Sequence, residues 1–581
     1  MSATNIPLKS PIEFILSRRS SRDSLRSTGA VECDEYGSSK PIESFTVESK
    51  PVIYIVIPSR SPTIPSLPNV APHPISMTRA IAMIIVCVTA SIISNASSVS
   101  MNLLIPSIQR QLGIQASDLQ WISSGFPLGF GSCLLLFGRL ADLYGHKRFI
   151  QVGTGFYALA SLGCALSRNH VQLSILRVCQ GLGAAATAPS IIGVLGNHLE
   201  PESILKRVGF AGLSAGLPLG TTFSLLVGGF ITQEAGPGWR SFFYLCAASA
   251  IAVCVSATLI IPKDRQTDNK EGSIDWLGGV LIIAGLTGLI LSLGTSSREG
   301  SNKAVVIVTF IFSIIILGCF VFWQRILEIR INEFLQGGVH CKRITQPILK
   351  LDLFRRDHHQ FLILLMVVCL LWSGFTVLRQ KQVADQSCDD EKRPLVGLLL
   401  NITFGFLSHI VPAKILIVLG CMGTATSCLL SALMDTSARY WTYNFASVAL
   451  SVIGPGFVVP IGIMYGSQIS SQSEQAVTGG LFHTLSQMGS AVGLSLTTLI
   501  QIQATRSSSQ KEGIIIKDDL TLASPTAFLE GLRAGFWFCF GILCLATLLS
   551  MVFLCNLKLI GKNKSVNSSN SSIEEKGIQK N

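Results

Sequence analysis

Long apolar runs separated by short polar stretches make up most of the chain after residue 76. About 20 apolar residues are enough for one helix to cross a hydrocarbon layer of about 30 Å. The pattern therefore predicts fourteen membrane-spanning helices, grouped as six, two and six. In chain order the runs are Ala80–Ile105, Leu119–Leu140, Phe149–Leu166, Leu173–Leu195, Val208–Ile231, Phe242–Ile261, Ile274–Leu293, Ala304–Phe322, Phe361–Val377, Leu395–Ile410, Ile415–Leu433, Trp441–Tyr465, Thr478–Ile502 and Leu532–Leu554.

The polar stretches between these groups predict the domain organisation. The first stretch is rich in Ser and Arg and too hydrophilic to build a core, so we expect it to be a disordered tail. The predicted units are a cytosolic tail at 1–76, a six-helix bundle at 77–262, two linker spans at 263–323, a cytosolic link at 324–360, a second six-helix bundle at 361–555 and a cytosolic tail at 556–581.

The positions of Lys and Arg predict the orientation of the chain. Basic residues follow the second, fourth and eighth runs, including Lys147 and Arg148, Lys206 and Arg207, and Arg355. Cytoplasmic loops carry such an excess of positive charge. We therefore expect both termini in the cytosol, with the plasma membrane as the location and a vacuolar membrane as the alternative.

The composition excludes most other classes of protein. Charged residues make up 13% of the 581-residue chain and hydrophobic residues 49%, whereas about a quarter of an ordinary soluble domain is charged. Of the 16 cysteines, 13 lie inside or directly beside apolar runs, where cysteine behaves as a small hydrophobe. The chain has neither a phosphate-binding loop nor an H-E-x-x-H zinc motif. We expect no enzyme activity, no metal, no cofactor and no nucleic-acid partner.

A polar segment, GRLADLYGHKR, joins the second and third runs and has the chemistry of a gate. Gly138 and Gly145 permit a tight turn, and Asp142 is able to bind helix-terminal amides or a basic residue. Lys147 and Arg148 hold the segment on the cytosolic side. A pairing of Asp142 would latch one state of a transporter and break when the bundles rock.

This segment resembles the signature G-x-L-A-D-x-x-G-x-[RK]-[RK] of the major facilitator superfamily. Two further stretches, Arg177–Ala185 and Ile274–Gly278, are similar to elements of its fourteen-span drug:proton antiporter branch, and Leu134–Arg148 looks most like fungal aminotriazole- and borate-resistance exporters and low-affinity ammonium transporters. The signature is matched at Gly138, Leu140, Ala141, Asp142, Gly145, Lys147 and Arg148.

The resemblance implies an all-α membrane protein of the major facilitator fold, with two six-helix bundles around a central cavity and two additional central spans. It implies a monomer in the lipid bilayer that moves a small-molecule substrate, with protons as the coupling ion. The implied function is export of toxic or xenobiotic compounds by alternating access and proton antiport.

Arg177 lies in the middle of an apolar run, with Gln180 one turn later on the same side of the helix. A charged residue at mid-span costs about 2.5–3.5 kcal/mol on insertion scales, so such residues face a cavity or a partner. Two interpretations stay open. Arg177 and Gln180 form either a polar cavity wall that binds an anionic or dipolar substrate group, or a structural hydrogen-bond hub.

Small residues recur every fourth position in the fifth run, which lets another helix approach closely. The row resembles the antiporter element of the family, although that element ends in G-P-x-x-G-G and this chain has Ser-Leu where the Gly-Pro belongs. Tight packing alone also explains the row. Its members are Gly212, Gly216, Gly220, Ser224 and Gly228.

No Asp or Glu lies in the core of any run, although proton coupling ordinarily uses a protonatable group. Asn102 resembles the Asn of the branch's N-x-A-L-P element, but Ser97 stands where that element has its acid. His483 and Gln487 form the remaining polar pair, and histidine titrates near neutral pH. We expect His483 to be either the coupling residue or a structural histidine.

The missing carboxylate leaves two alternatives to proton-coupled export. The first is a passive or low-affinity transporter of a small polar solute or ion such as ammonium or borate. The second is a membrane sensor that transports nothing, or a defective gene product. The charged segment Arg379–Arg393, which lies where the family has a longer span, fits either a lineage-specific loop or an error in the gene model.

Overall fold

Thirteen α-helices of at least 20 residues lie in the part of the chain that the computed structural model describes. That part comprises residues 76–113, 119–200, 203–233, 238–264, 273–299, 304–335, 345–355, 359–384, 411–434, 440–471, 474–512 and 524–554. The helices form two groups and a central pair, which together confirm the predicted all-helical fold.

The first group, here called the amino-terminal bundle, contains six helices. They are α1 (Met77–Leu112), α2 (Leu119–Tyr144), α3 (His146–Leu166), α4 (His170–His198), α5 (Ile204–Gln233) and α6 (Trp239–Ile260). Within it α2 and α3 pack on α4, α1 packs on α5, and α3 packs on α6.

The central pair consists of α7 (Trp276–Glu299) and α8 (Ala304–Leu335), which pack on each other. Two short parallel strands, β1 (Ser273–Ile274) and β2 (Thr345–Gln346), pair just outside these helices, and a 3₁₀ helix (Leu351–Phe354) follows β2. Helix α7 also contacts α2 and α12, so the pair is attached to both bundles.

The second group, here called the carboxyl-terminal bundle, contains five described helices. Within it α12 packs on α9, and α13 packs on α10 and α12. The helices are α9 (Gln360–Ala384), α10 (Ala413–Ala432), α11 (Tyr440–Ile469), α12 (Gln475–Lys511) and α13 (Pro525–Phe553).

Local sequence signals define several helix ends. Asn169 caps α4, because its side chain accepts a 2.8 Å hydrogen bond from the amide of Gln172. Ser524 caps α13 in the same way, with Pro525 in the first helical position. Ser524 and Thr526 also donate to Glu512 at the end of α12, and these bonds lower the pKa of the Glu512 carboxyl.

Every predicted run except Leu395–Ile410 overlaps a described helix, and that run lies outside the described residues. Several helices continue beyond the apolar runs that predicted them, such as α1 to Leu112 and α12 to Lys511. Helix α8 continues to Leu335 rather than ending at Phe322, and α9 continues to Ala384, into the charged segment. Both helices extend beyond their apolar cores because charged residues are good helix formers once the helix reaches water. Residues 385–393 of that segment are not described.

Apolar side chains cover the outside of the helices as well as the core. Val305 and Phe322 of α8 are 75% and 70% exposed, whereas Leu364 and Leu371 of α9 are fully buried. Eleven helices in the described part are long and apolar enough to span a bilayer. The protein is therefore a multi-pass membrane protein, with lipid covering the exposed apolar faces.

Candidate functional site: a central cavity and its gate

A cavity of about 210 Å³ lies between the two bundles. The amino-terminal bundle contributes side chains from all six of its helices, and the carboxyl-terminal bundle contributes side chains from α9, α11 and α12. The size and the accessibility of such a cavity change whenever the two bundles move against each other.

Aromatic rings and small polar side chains line the cavity. Phe126 and Phe130 stack with their centroids 5.9 Å apart on one side, and Trp372 meets Phe375 edge-on at 5.4 Å on the other. Ser, Thr and Asn hydroxyl and amide groups lie between the rings, and no Asp, Glu, Lys or Arg is among the described lining residues. Such a wall suits an aromatic or amphipathic molecule with a few polar groups.

His483 and Gln487 both line this cavity, one helical turn apart on α12. The imidazole of His483 lies edge-on between two rings, 6.2 Å from Phe130 and 6.1 Å from Phe482. Among the described lining residues, histidine is the one residue type whose ordinary pKa lies near neutral pH, and His483 is its one example. The structure thus brings this sequence-predicted pair to the wall of the cavity between the bundles.

Arg177 is fully buried and does not line the cavity. Its Nη1 donates to Ser97 Oγ at 2.8 Å, to the Ser97 carbonyl at 3.3 Å and to Gln180 Oε1 at 2.7 Å. Gln180 donates in turn to Ser161 at 2.8 Å. The interpretation of Arg177 and Gln180 as cavity wall is therefore wrong for this conformation, because the ring of Phe126 covers the guanidinium at 5.0 Å.

Asp142 joins the two bundles at one end of the molecule. Its fully buried carboxylate accepts hydrogen bonds from the backbone amides of Ala476 at 3.1 Å and Val477 at 3.0 Å. These amides belong to the first turn of α12, where unpaired N–H groups and the helix dipole favour a negative charge. Of the two partners that the sequence allowed, a helix end or a basic residue, Asp142 takes the helix end.

Two glycines allow this close approach. A Cβ on Gly138 would lie 2.8 Å from the carbonyl oxygen of Ala476, and one on Gly480 would lie 2.8 Å from that of Leu134. Both distances are shorter than any normal Cβ contact with backbone. Helices α2 and α12 are therefore in direct backbone contact at the Asp142 end, which closes the cavity there.

The predicted loop of the gate is shorter than the sequence suggested. Helix α2 ends at Tyr144 and α3 begins at His146, so Gly145 with φ 105° makes the whole turn. Lys147 lies in the first turn of α3 and donates from Nζ to the carbonyls of Thr258 and Ile261 at the end of α6, at 2.8 and 2.6 Å. It braces the amino-terminal bundle and does not cross to the other one.

Arg148, also predicted in that loop, is exposed on the first turn of α3. The row of small residues lies where α5 meets α1. Ideal Cβ atoms on Gly212, Gly216 and Gly220 would lie within 2.8 Å of α1 atoms, and Ser224 is fully buried. Asn102 and Gly228 lie within α1 and α5, but their side chains are outside the described part.

A segment missed by the sequence analysis links the central pair to the gate. Asp275, just before α7, is buried and accepts hydrogen bonds from Gly278 N–H at 2.8 Å, Trp323 Nε1 at 2.9 Å and Gln324 Nε2 at 2.7 Å. Gln324 also accepts from the amide of Leu349 at 3.2 Å. Together these bonds fix residues 345–355, here called the strap, against α7 and α8.

The strap reaches both bundles at the Asp142 end. Lys350 forms an ion pair of 2.5 Å with Glu474, the residue that precedes α12, and Arg139 of α2 donates to Gln346. In the sequence, Asp275 directly before Trp276 indicates a helix cap. No sequence pattern predicts that Gln346 and Lys350 lie beside the gate. The strap therefore ties the extra helices to the gate.

No group of His, Cys, Asp and Glu with the geometry of a metal site occurs among the described residues. None of the twelve cysteines that the structure describes forms a disulfide. The candidate site is a cavity lined by side chains of both bundles, and the contact of Asp142 with α12 closes it at one end.

Comparison with known proteins gives related sequences along most of the chain. The profile of the Major Facilitator Superfamily matches residues 85–380. MFS-type transporter 1 of Pyricularia oryzae is 24% identical over 558 residues, covering 85% of this chain and 88% of the relative. The aminotriazole resistance protein of Saccharomyces cerevisiae is 23% identical, covering 72% and 77%, and the multidrug transporter mdr3 of Aspergillus fumigatus is 23% identical, covering 76% and 72%.

Solved structures show the same fold at low sequence identity. The proton:xylose symporter XylE aligns with a TM-score of 0.54 at 11% identity, covering 83% of this chain and 98% of the symporter. The human organic anion transporter MFSD10 aligns with a TM-score of 0.52 at 12% identity, covering 82% and 100%. These similarities agree with two bundles around a central cavity.

Proposed function

Because the chain belongs to the Major Facilitator Superfamily, a family of transporters, we propose that it exports small toxic or xenobiotic compounds by alternating access. The observation that carries this proposal is the cavity between the bundles, with aromatic rings and small polar groups from both halves. Relatives named for aminotriazole resistance and multidrug transport support the substrate class.

In this proposal, the contact of Asp142 with α12 breaks and re-forms as the two bundles move. It holds the bundles together at one end through hydrogen bonds to the amides of Ala476 and Val477. Breaking two hydrogen bonds and the strap ion pair lets the halves rock apart there, which exposes the cavity to the side of the membrane on which Asp142 lies. Basic residues near this end, such as Lys206 and Arg207, support a cytosolic gate and cytosolic termini, and residence in the plasma membrane stays a prediction.

Proton antiport through His483 completes the proposal. No carboxylate occurs in the core of an apolar run, and His483 lies on the cavity wall, where substrate and proton would compete for the same space. Protonation of the imidazole between two aromatic rings places a charge in an apolar environment, which weakens binding of a neutral substrate there. Release of the proton restores binding.

Purified full-length protein in proteoliposomes tests this proposal. Labelled 3-amino-1,2,4-triazole should accumulate on the side from which protons leave, and a protonophore should abolish the accumulation. His483→Gln should still equilibrate the compound but should no longer concentrate it. His170→Gln, at the start of α4 and outside the cavity lining, is the matched control and should concentrate the compound normally.

A passive transporter of a small polar solute is the second candidate, because the cores of the apolar runs contain no Asp or Glu to carry a proton. This candidate predicts downhill flux of boric acid or ammonium that a pH gradient does not alter. Equal accumulation with and without the gradient would replace export by this function, and absence of any flux would contradict both.

A further inference from the structure

We propose that the cavity selects its substrate by charge, accepting anionic and neutral compounds and rejecting cations, and that Ser97 is the position that sets this selection. The inference rests on the proposed function, since it names the substrate class of the same cavity. It follows from a buried positive charge that no carboxylate neutralises.

The positive charge is that of Arg177, whose guanidinium stays protonated in proteins. The side chain is fully buried, and the hydrogen bonds of Nη1 go to neutral groups, the hydroxyl and carbonyl of Ser97 and the amide oxygen of Gln180. Its Nε and Nη2 atoms have no hydrogen-bond partner among the described residues. The hydroxyl, carbonyl and amide dipoles orient around the guanidinium but carry no net charge, so the net charge of the cluster stays at +1.

Ser97 occupies the position from which a carboxylate would neutralise this charge. Its Oγ is 2.8 Å from Nη1 and 3.1 Å from Gln180 Oε1, so it lies inside the polar cluster. The sequence offers no substitute nearby, because no Asp or Glu lies in the core of any apolar run. A longer side chain with a negative charge at this position would form an ion pair with Arg177.

The charge acts on the cavity through one aromatic ring. The guanidinium lies 5.0 Å from the centroid of Phe126, and Phe126 lines the cavity. Low-dielectric surroundings screen such a charge far less than water does. His483 lines the cavity and is either neutral or positive in both of its protonation states, so it adds no attraction for a cation.

Three aromatic probes of nearly equal shape separate charge from size: benzoate with charge −1, benzamide with none and benzamidine with +1 at neutral pH. Each fits a pocket of this volume with aromatic walls. We expect the purified full-length protein in nanodiscs to bind benzoate at least about tenfold more tightly than benzamidine, with benzamide between them. Isothermal titration or a radioligand filter assay measures the three dissociation constants.

Two variants of Ser97 test its role. Ser97→Asp places a carboxylate beside Arg177, so the ratio of benzamidine to benzoate affinity should move by about tenfold towards benzamidine. Ser97→Asn is the matched control, because it has nearly the same size without charge and should keep the preference for benzoate. Should Ser97→Asp fail to fold, Arg177→Gln removes the positive charge instead and should equalise the two affinities, while Arg177→Lys keeps the preference.

The outcomes separate this inference from the proposed function. Binding of benzamide together with equal affinities for benzoate and benzamidine in the unmodified protein overturns charge selection and leaves export standing. An unchanged ratio in Ser97→Asp overturns the role of Ser97. If none of the three probes binds, the cavity is not a site for aromatic compounds, and the proposed function fails together with the inference.

Discussion

The Asp142 carboxylate of α2 accepts a 3.0 Å hydrogen bond from the backbone amide of Val477 in the first turn of α12, and so connects the two bundles. A negative charge at a helix start contributes about 0.3–1 kcal/mol when exposed and up to about 2 kcal/mol when partly buried. This side chain is fully buried, so the larger value applies. The contact therefore stabilises one state of the transport cycle over the other.

Asp142→Asn keeps an acceptor oxygen but removes the charge. We expect it to weaken the closed state by about 1–2 kcal/mol, which lowers its population relative to the open state by a factor of about 5–30. Transport of labelled 3-amino-1,2,4-triazole in proteoliposomes should fall by a similar factor, with unchanged yield of folded protein.

Asp264→Asn is the matched control, because Asp264 accepts from the amide of Lys147 at the start of α3 at 2.8 Å, a bond within the amino-terminal bundle alone. It should cost some stability and leave transport near normal. Equal losses of transport in both variants would mean that Asp142 acts on folding, not on the movement of the bundles.

The glycine contact of the gate makes a second prediction. In Gly138→Ala the new Cβ would lie 2.8 Å from the Ala476 carbonyl oxygen, and backbone cannot move aside as a side-chain tip does. For an overpacking cost of about 1–3 kcal/mol, the closed state should become less populated by a factor of about 5–150, with transport reduced accordingly. Gly155→Ala in α3, whose Cβ meets nothing within 4 Å, should transport normally. Normal transport by Gly138→Ala would show that this end need not close.

The sequence alone was sufficient to predict the helices and to predict which residues lie on the same side of one helix. Apolar runs predicted helices because a bilayer requires them, and the spacing of Arg177 and Gln180 correctly placed both on one side of α4. Helix ends were predicted less well. The loop around Gly145 contains a single residue because Lys147 and Arg148 already belong to α3.

The cavity and the strap could not be predicted in the same way. Runs that are apolar on every face have no polar stripe, so nothing marked Phe126 or Trp372 as cavity residues. The strap depends on Asp275, Gln324 and Leu349, which are distant in the sequence and meet through side-chain hydrogen bonds that have no periodic signal. Such contacts exist only once the helices have packed.

Asp275 gives a prediction about stability. Asp275→Ala leaves the N–H donors of Trp323 and Gln324 without their acceptor, and each buried donor left unsatisfied costs about 1–3 kcal/mol. We expect a clearly lower apparent melting temperature of the purified protein in detergent. Ser273→Ala, which removes one hydroxyl contact with Thr345 at 2.7 Å, is the control and should cost less. A melting temperature that is equal in the two variants would contradict the central role of Asp275 in holding the strap.

The α1–α5 contact predicts a graded effect of added methyl groups. An Ala in place of a helical Gly stabilises the helix by up to about 1 kcal/mol through its helix propensity. Any loss of stability therefore comes from crowding of the new Cβ against α1. At Gly220 the new Cβ would lie 2.8 Å from the Ile92 carbonyl oxygen, whereas at Gly212 it would meet only the end of the Val88 side chain at 2.8 Å. A side-chain end is able to rotate away, but the carbonyl is fixed in the helix.

Gly541→Ala in α13 is the control, because its Cβ would meet nothing within 4 Å. We expect the apparent melting temperatures to fall in the order Gly541→Ala, Gly212→Ala, Gly220→Ala, with Gly220→Ala below the unmodified protein. Transport should follow the same order if α1 and α5 move as one unit. A Gly220→Ala protein as stable as Gly541→Ala would show that α1 and α5 separate without cost, and the row of small residues would then have no packing role.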